Sequence, residues 1–193
     1  MAATKKSRGP QAGGPAYTIP GMKPDDAAEI IALLQDRLNA LNDLHLTLKH
    51  IHWNVVGPHF IAVHTMLDPQ VDAVRLMADD VAERIATLGG SPSGTPGALV
   101  AARSWDDYSI GRADALDHLG ALDLVYSGVI EEYREAIQAT EEPDPVTQDM
   151  LIGHAEDLEQ FQWFVRAHLE TSDGRIRTTG ARTERQAAAK AKR

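Results

Sequence analysis

Helix breakers cut this sequence into four long stretches, and that division constrains the fold more than any other feature. The breaks are Gly57-Pro58, the run Gly89-Gly90-Ser91-Pro92-Ser93-Gly94-Thr95-Pro96-Gly97, and Glu141-Glu142-Pro143-Asp144-Pro145. The first stretch opens at Pro24, with Asp25, Asp26 and Glu29 in the turn where the helix dipole favours anions, and reads as helix to Val56. Ile30, Ile31, Leu34, Leu38, Leu41 and Leu48 recur on it at helical spacing. A second helix is predicted from about His59 to Leu88, with Val63, Leu67, Val71, Val74, Ala78, Val81 and Ile85 in one apolar stripe. A third begins near Arg112 and turns Leu119, Leu122, Tyr126, Val129, Tyr133 and Ile137 inward; a fourth runs from about Pro145 to Glu170 with Leu151, Ala155, Leu158, Val165 and Leu169. Residues 98–104 read as a short helical piece inside the long connection between the second and third helices. Four helices of about 25–33 residues with one long crossover make an all-α four-helix bundle.

Composition narrows the chemistry. With no cysteine, disulfides, thiolate zinc sites, iron–sulfur clusters and cysteine catalysis are excluded, so any metal must be held by histidine and carboxylate. No apolar run approaches the ~18 residues of a membrane span. Lys5, Lys6 and Arg8 are followed by no hydrophobic stretch, so a secretory leader is not expected and a cytoplasmic location is. The net charge of −9 is unevenly spread. Residues 1–23 carry four basic side chains and no acid; residues 171–193 carry seven against Asp173 and Glu184; residues 24–170 hold eight basic and 26 acidic side chains. An acidic body attracts cations and repels nucleic acid, while basic ends favour it. The chain accordingly divides into a basic arm (1–23), a bundle (24–170) and a basic tail (171–193).

A polar stripe on the second helix lies beside its apolar one. Taking His64 as zero and 100° per residue, Asp68 falls at about 40°, Asp79 at about 60° and Glu83 at about 100°. His64/Asp68 and Asp79/Glu83 are each i,i+4 pairs able to grip one ion from one face. The 15 residues from His64 to Asp79 span about 22 Å of helix axis, far beyond metal–ligand bonds of ~2.0–2.2 Å. One chain cannot hold one ion with both pairs, whereas an antiparallel second copy, related by a two-fold axis, brings them together. The same residues also fit a charged, solvated helix face. Asp72, at about 80°, shares the stripe, while Asp80, at about 160°, points away toward solvent.

The run HWNVVGPHFIAVHTMLD, with Asp79-x-x-x-Glu83 beyond it, resembles the Dps family of DNA-binding proteins from starved cells, the miniferritins. The similarity extends over about residues 24–170, through the Leu88-Gly89-Gly90 ending of the second helix and Phe161-Gln162-Trp163-Phe164 on the fourth. The basic tail makes the chain look most like the mycobacterial and actinobacterial branch. This resemblance implies a ferritin-like bundle assembled as a dodecameric shell of 23 symmetry, with a two-iron ferroxidase centre between two-fold-related subunits. His52, His64 and Asp68 match the ligands given by one subunit, and Asp79 and Glu83 those given by its neighbour. Trp53 matches a tryptophan lying beside the centre. The implied activity is oxidation of Fe(II), preferably by hydrogen peroxide, with mineralisation of Fe(III) inside the cage.

Glu141, Glu142, Asp144 and Asp149 are candidates for lining iron-entry pores, although an acidic turn in solvent has the same composition. The tail cations Arg175, Arg177, Arg182, Arg185, Lys190, Lys192 and Arg193, with Lys5, Lys6 and Arg8 of the arm, are candidates for binding double-stranded DNA. Such segments neutralise phosphates but cannot read bases, so binding is expected to be sequence-independent, placing the protein at the nucleoid. The opposing possibility is that Gln186-Ala187-Ala188-Ala189 continues a helix docked on the shell and blocks DNA contact. The alternative function is a nucleoid-compacting protein with a vestigial metal site. A conventional ferritin centre is disfavoured, because no glutamate has a histidine three residues later.

Overall fold

The computed structural model describes residues 15–192. Its main helices are α1 (Pro24–Asn54), α2 (Phe60–Thr87), α4 (Ala115–Thr140) and α5 (Pro145–Leu169). A short α3 (Pro96–Ala102) sits in the crossover, and α6 (Glu184–Ala191) follows the bundle. The four-helix plan with one crossover stands as expected. Helix α1 packs along α2 and α4 along α5, and the four close on Leu34, Leu41, Leu48, Leu67, Ile85, Leu119, Leu122 and Leu158, all fully buried. Burying each such side chain stabilises the fold by roughly 1.5–3 kcal/mol.

Two departures bear on the site. The third long helix begins at Ala115 rather than near Arg112, because the chain before it is extended. Val55–Val56 (β1) pairs in parallel with Ala113–Asp114 (β2), tying the end of α1 to the start of α4. Two residues are too few to show strand periodicity. Gly57 then turns the chain with φ +94°, and a Cβ there would lie 2.8 Å from the Asp114 carboxylate, so only glycine fits. The second departure is Pro69, which lies inside α2 on its exposed side. It cannot donate the helical bond to the carbonyl of Thr65, and that defect faces away from the core.

The described part of the basic tail, residues 171–192, is folded against the bundle. Glu170 bridges Ile176, Thr183 accepts from the backbone N–H of Gln186 as the N-cap of α6, and α6 lies along α4. The helix of the opposing possibility is thus present, docked on the chain's own bundle.

Candidate metal centre

The tight turn between α1 and α2 lays the last turn of one helix against the first of the next, so His52 and His64 meet although they stand on different elements. Their rings stack with centroids 3.6 Å apart and planes inclined by 25°. The bonding is reciprocal: His52 Nδ1 lies 3.0 Å from the carbonyl of His64, and His64 Nδ1 lies 3.0 Å from the carbonyl of His52. A carbonyl can only accept, so each Nδ1 carries a proton, which leaves Nε2 as the nitrogen a metal ion would use. A backbone carbonyl on the far nitrogen is the usual way a metal-binding imidazole is oriented and its tautomer fixed. His52 is 8% exposed, and burial lowers its pKa below the usual histidine value despite the opposing charge of Asp68.

Asp68 completes the group one helical turn after His64. One ligand atom from each of His52, His64 and Asp68 lies within 4.8 Å of the others, a spacing that one or two ions can bridge. Asp68 Oδ1 is 3.3 Å from His52 Nδ1 and 3.5 Å from the Lys49 ammonium. Lys49 also stands 5.8 Å from the centroid of the Trp53 ring, and Phe60 tilts against His64 at 4.9 Å. Periodicity gave no reason to single out Lys49 or Phe60, because their roles arise only once α1 and α2 are packed.

Asp79 and Glu83 are exposed on the same helix and do not join this group within the chain, as the length of the stripe requires. Asp72 is exposed and also lies outside it. Trp53 is 71% exposed, and Leu46, Ile61 and Leu76 stand uncovered on the same two helices. Exposed apolar side chains of this size, rimmed by polar ones, are characteristic of a protein contact face. Asp80 is exposed as expected, yet its carboxylate also meets His154 Nε2 at 3.3 Å.

The pore candidates separate. Glu141, Glu142 and Asp149 are exposed. Asp144 is not available to a pore: it is 3% exposed and held by Arg84 of α2 at 2.6 Å and by the hydroxyl of Thr147. Burial alone would raise its pKa, but the bonds from Thr147 and Arg84 outweigh that and hold the carboxyl below its usual range.

The tail cations separate too. Arg175 is paired with Asp173, Lys190 donates to the carbonyl of Thr179 at 2.7 Å, and Lys192 pairs with Asp117 at 2.7 Å. Arg177 is half-buried. Arg182 and Arg185 are exposed, with no side-chain hydrogen bond or ion pair among the described residues. Lys5, Lys6, Arg8 and Arg193 lie outside the described residues.

Comparison with known proteins gives this arrangement its class. A model of the ferritin-like domain matches residues 31–174, and the chain belongs to that family. Within it, the sequence is 59% identical over 178 residues to the DNA protection during starvation protein of Mycolicibacterium smegmatis, covering 92% of this chain and 97% of that protein. DpsA14 from Streptomyces coelicolor superposes with a TM-score of 0.84 at 67% identity over 85% of this chain and 98% of that one. Mycobacterium smegmatis Dps does so at 0.85 and 59%, over 86% and 95%. The chain is a member of the Dps family, in agreement with the His52–Asp68 motif. Among the described residues, no helix is long and apolar enough to cross a membrane.

Proposed function

We propose that this protein is a ferroxidase and iron store whose centre is shared between two subunits, and that it also binds DNA. One observation carries the first part: His52 and His64 rest their Nδ1 atoms on each other's backbone carbonyls, and one ligand atom of each lies within 4.8 Å of the other and of Asp68. Two-fold pairing of α2 with a second copy adds that copy's Asp79 and Glu83 from the other end of the stripe. Nitrogen and carboxylate donors bind Fe(II), and the anionic oxygens favour Fe(III) more strongly, which eases loss of an electron. The balanced reaction takes two Fe(II), one hydrogen peroxide and two protons to two Fe(III) and two waters. Two electrons delivered together break the O–O bond without releasing a hydroxyl radical. The exposed Glu141, Glu142 and Asp149 fit an acidic entry route into a dodecameric cage of 23 symmetry, where the ferric product mineralises.

In the test, Fe(II) is added anaerobically, then peroxide, and the ferric absorbance is followed. His52→Ala and Glu83→Ala should each slow the reaction by at least about tenfold, as expected for loss of a ligand. Parent-like rates in both would refute the shared centre. Assembly is read separately by size-exclusion mass, expected at about twelve times the 21.0 kDa chain.

The exposed Arg182 and Arg185 favour the second part, sequence-independent binding of double-stranded DNA at the nucleoid in the cytoplasm. Deleting residues 171–193 should abolish DNA retardation while iron oxidation persists. Retardation without oxidation in the parent protein would instead favour the compacting role with a vestigial site.

A further inference from the structure

We propose that α6 is a closed clasp on the DNA-binding tail: Asp117 and Gly120 of α4 hold it down, and duplex DNA is bound more tightly once α6 leaves α4. This rests on the reading of the tail as the DNA-binding segment.

The docking contact is narrow. Ala187, Ala188 and Ala191 are buried, so the apolar part consists of three methyl groups. Close approach is possible because residue 120 has no side chain. A Cβ there would lie 2.7 Å from the carbonyl oxygen of Ala187 and 2.9 Å from the Cβ of Ala191. A helix of eight residues does not persist alone in water, so α6 exists only while it is held.

Polar tethers complete the hold. Lys192 meets Asp117 at 2.7 Å and Glu184 accepts from the backbone N–H of Ser109, while within the tail itself Lys190 donates to the carbonyl of Thr179. Just upstream, the Thr178 hydroxyl donates to the buried Asp123 at 2.9 Å. In this state Lys192 is neutralised by a carboxylate, and Asp114 adds further negative charge near it. Lys192 is thus exposed but paired, whereas Arg182 and Arg185 are exposed with no side-chain ion pair among the described residues. Release puts Lys190 and Lys192 on the same free strand as those arginines. Two further phosphate contacts per tail then become available, each releasing condensed counterions.

The test uses full-length protein carrying Asp117→Asn or Gly120→Ala. The second removes a glycine from the interior of α4, a change that favours the helix itself while leaving α6 no room. Both variants should be cleaved faster by trypsin after Arg185 and Lys190. Both should retard linear duplex DNA at about one third of the parent concentration, the scale of one exposed ion pair. The slope of log affinity against log salt should steepen by about 2 for the two added contacts. Faster cleavage with unchanged or weaker DNA binding would overturn the clasp, and so would unchanged cleavage in both variants. Deletion of residues 171–193 separates this from failure of the tail reading. If deletion abolishes retardation while the variants gain nothing, only the clasp fails; if deletion changes nothing, the tail is not the DNA-binding segment.

Discussion

Lys49 is the residue whose position most sharply tests the metal reading. Its ammonium stands 3.5 Å from the Asp68 carboxylate, where a divalent ion would also draw that oxygen. A cation entering the site must displace or tolerate it. The pair is partly open to water, which reduces its worth to about 1 kcal/mol. Lys49→Met should therefore tighten binding of Zn(II), a redox-silent stand-in for Fe(II), by about fivefold in calorimetric titration. An unchanged affinity would mean that Lys49 swings aside at no cost. At this scale the sequence was only half legible. His64 and Asp68 announce themselves as an i,i+4 pair on one helix. His52 does not, since no periodicity links it to a residue across a tight turn, and only the resemblance of the whole motif brought it in.

At the scale of elements, helix positions followed from breakers and apolar spacing, whereas the joints between helices did not. The β1–β2 pair connects positions 58 apart and has no local pattern. Asp144 is the sharper lesson. In sequence it belongs to an acidic turn like Glu141 and Glu142, and its fate is decided by Arg84 from 60 positions away. Removing one partner of such a buried pair costs about 3–5 kcal/mol. Arg84→Met should lower the midpoint of denaturant unfolding accordingly, with the slope unchanged. The pH dependence has a definite sign. Because the native pKa of Asp144 is lowered, its contribution is fully present above the ordinary aspartate value of 3.8 and is lost as pH falls toward the depressed native value. Asp144→Asn should flatten the acid side of the stability profile, as followed by circular dichroism. A parallel, merely shifted curve would count against this role. Helix α6 escaped clear reading for a related reason: alanines bury little area, so its seat on α4 depends on a glycine on another helix.

At the scale of the molecule, the division of charge and the uncovered face of α1 and α2 belong together. The body carries the acids, the tail carries cations, and Trp53, Ile61 and Leu76 are uncovered on the two helices that carry the proposed centre. DNA retardation should be steeply weakened by salt and indifferent to base sequence. It should be insensitive to His52→Ala, which lies far along the chain from the tail. If both activities fell together in that variant, assembly rather than chemistry would be the shared cause, and the size-exclusion mass would show it.

The crossed carbonyl bonds of His52 and His64 are made inside one chain and need no neighbour. Under the shared-centre reading, an ion that needs both halves recognises the paired state and not the lone subunit. By mass action it then fastens the pair, by about 2.7 kcal/mol when supplied at a hundred times its dissociation constant. Zinc should raise the melting temperature of the assembled protein, and a chelator should lower it toward that of Glu83→Ala. The supply of iron would in this way govern how firmly its own container is sealed.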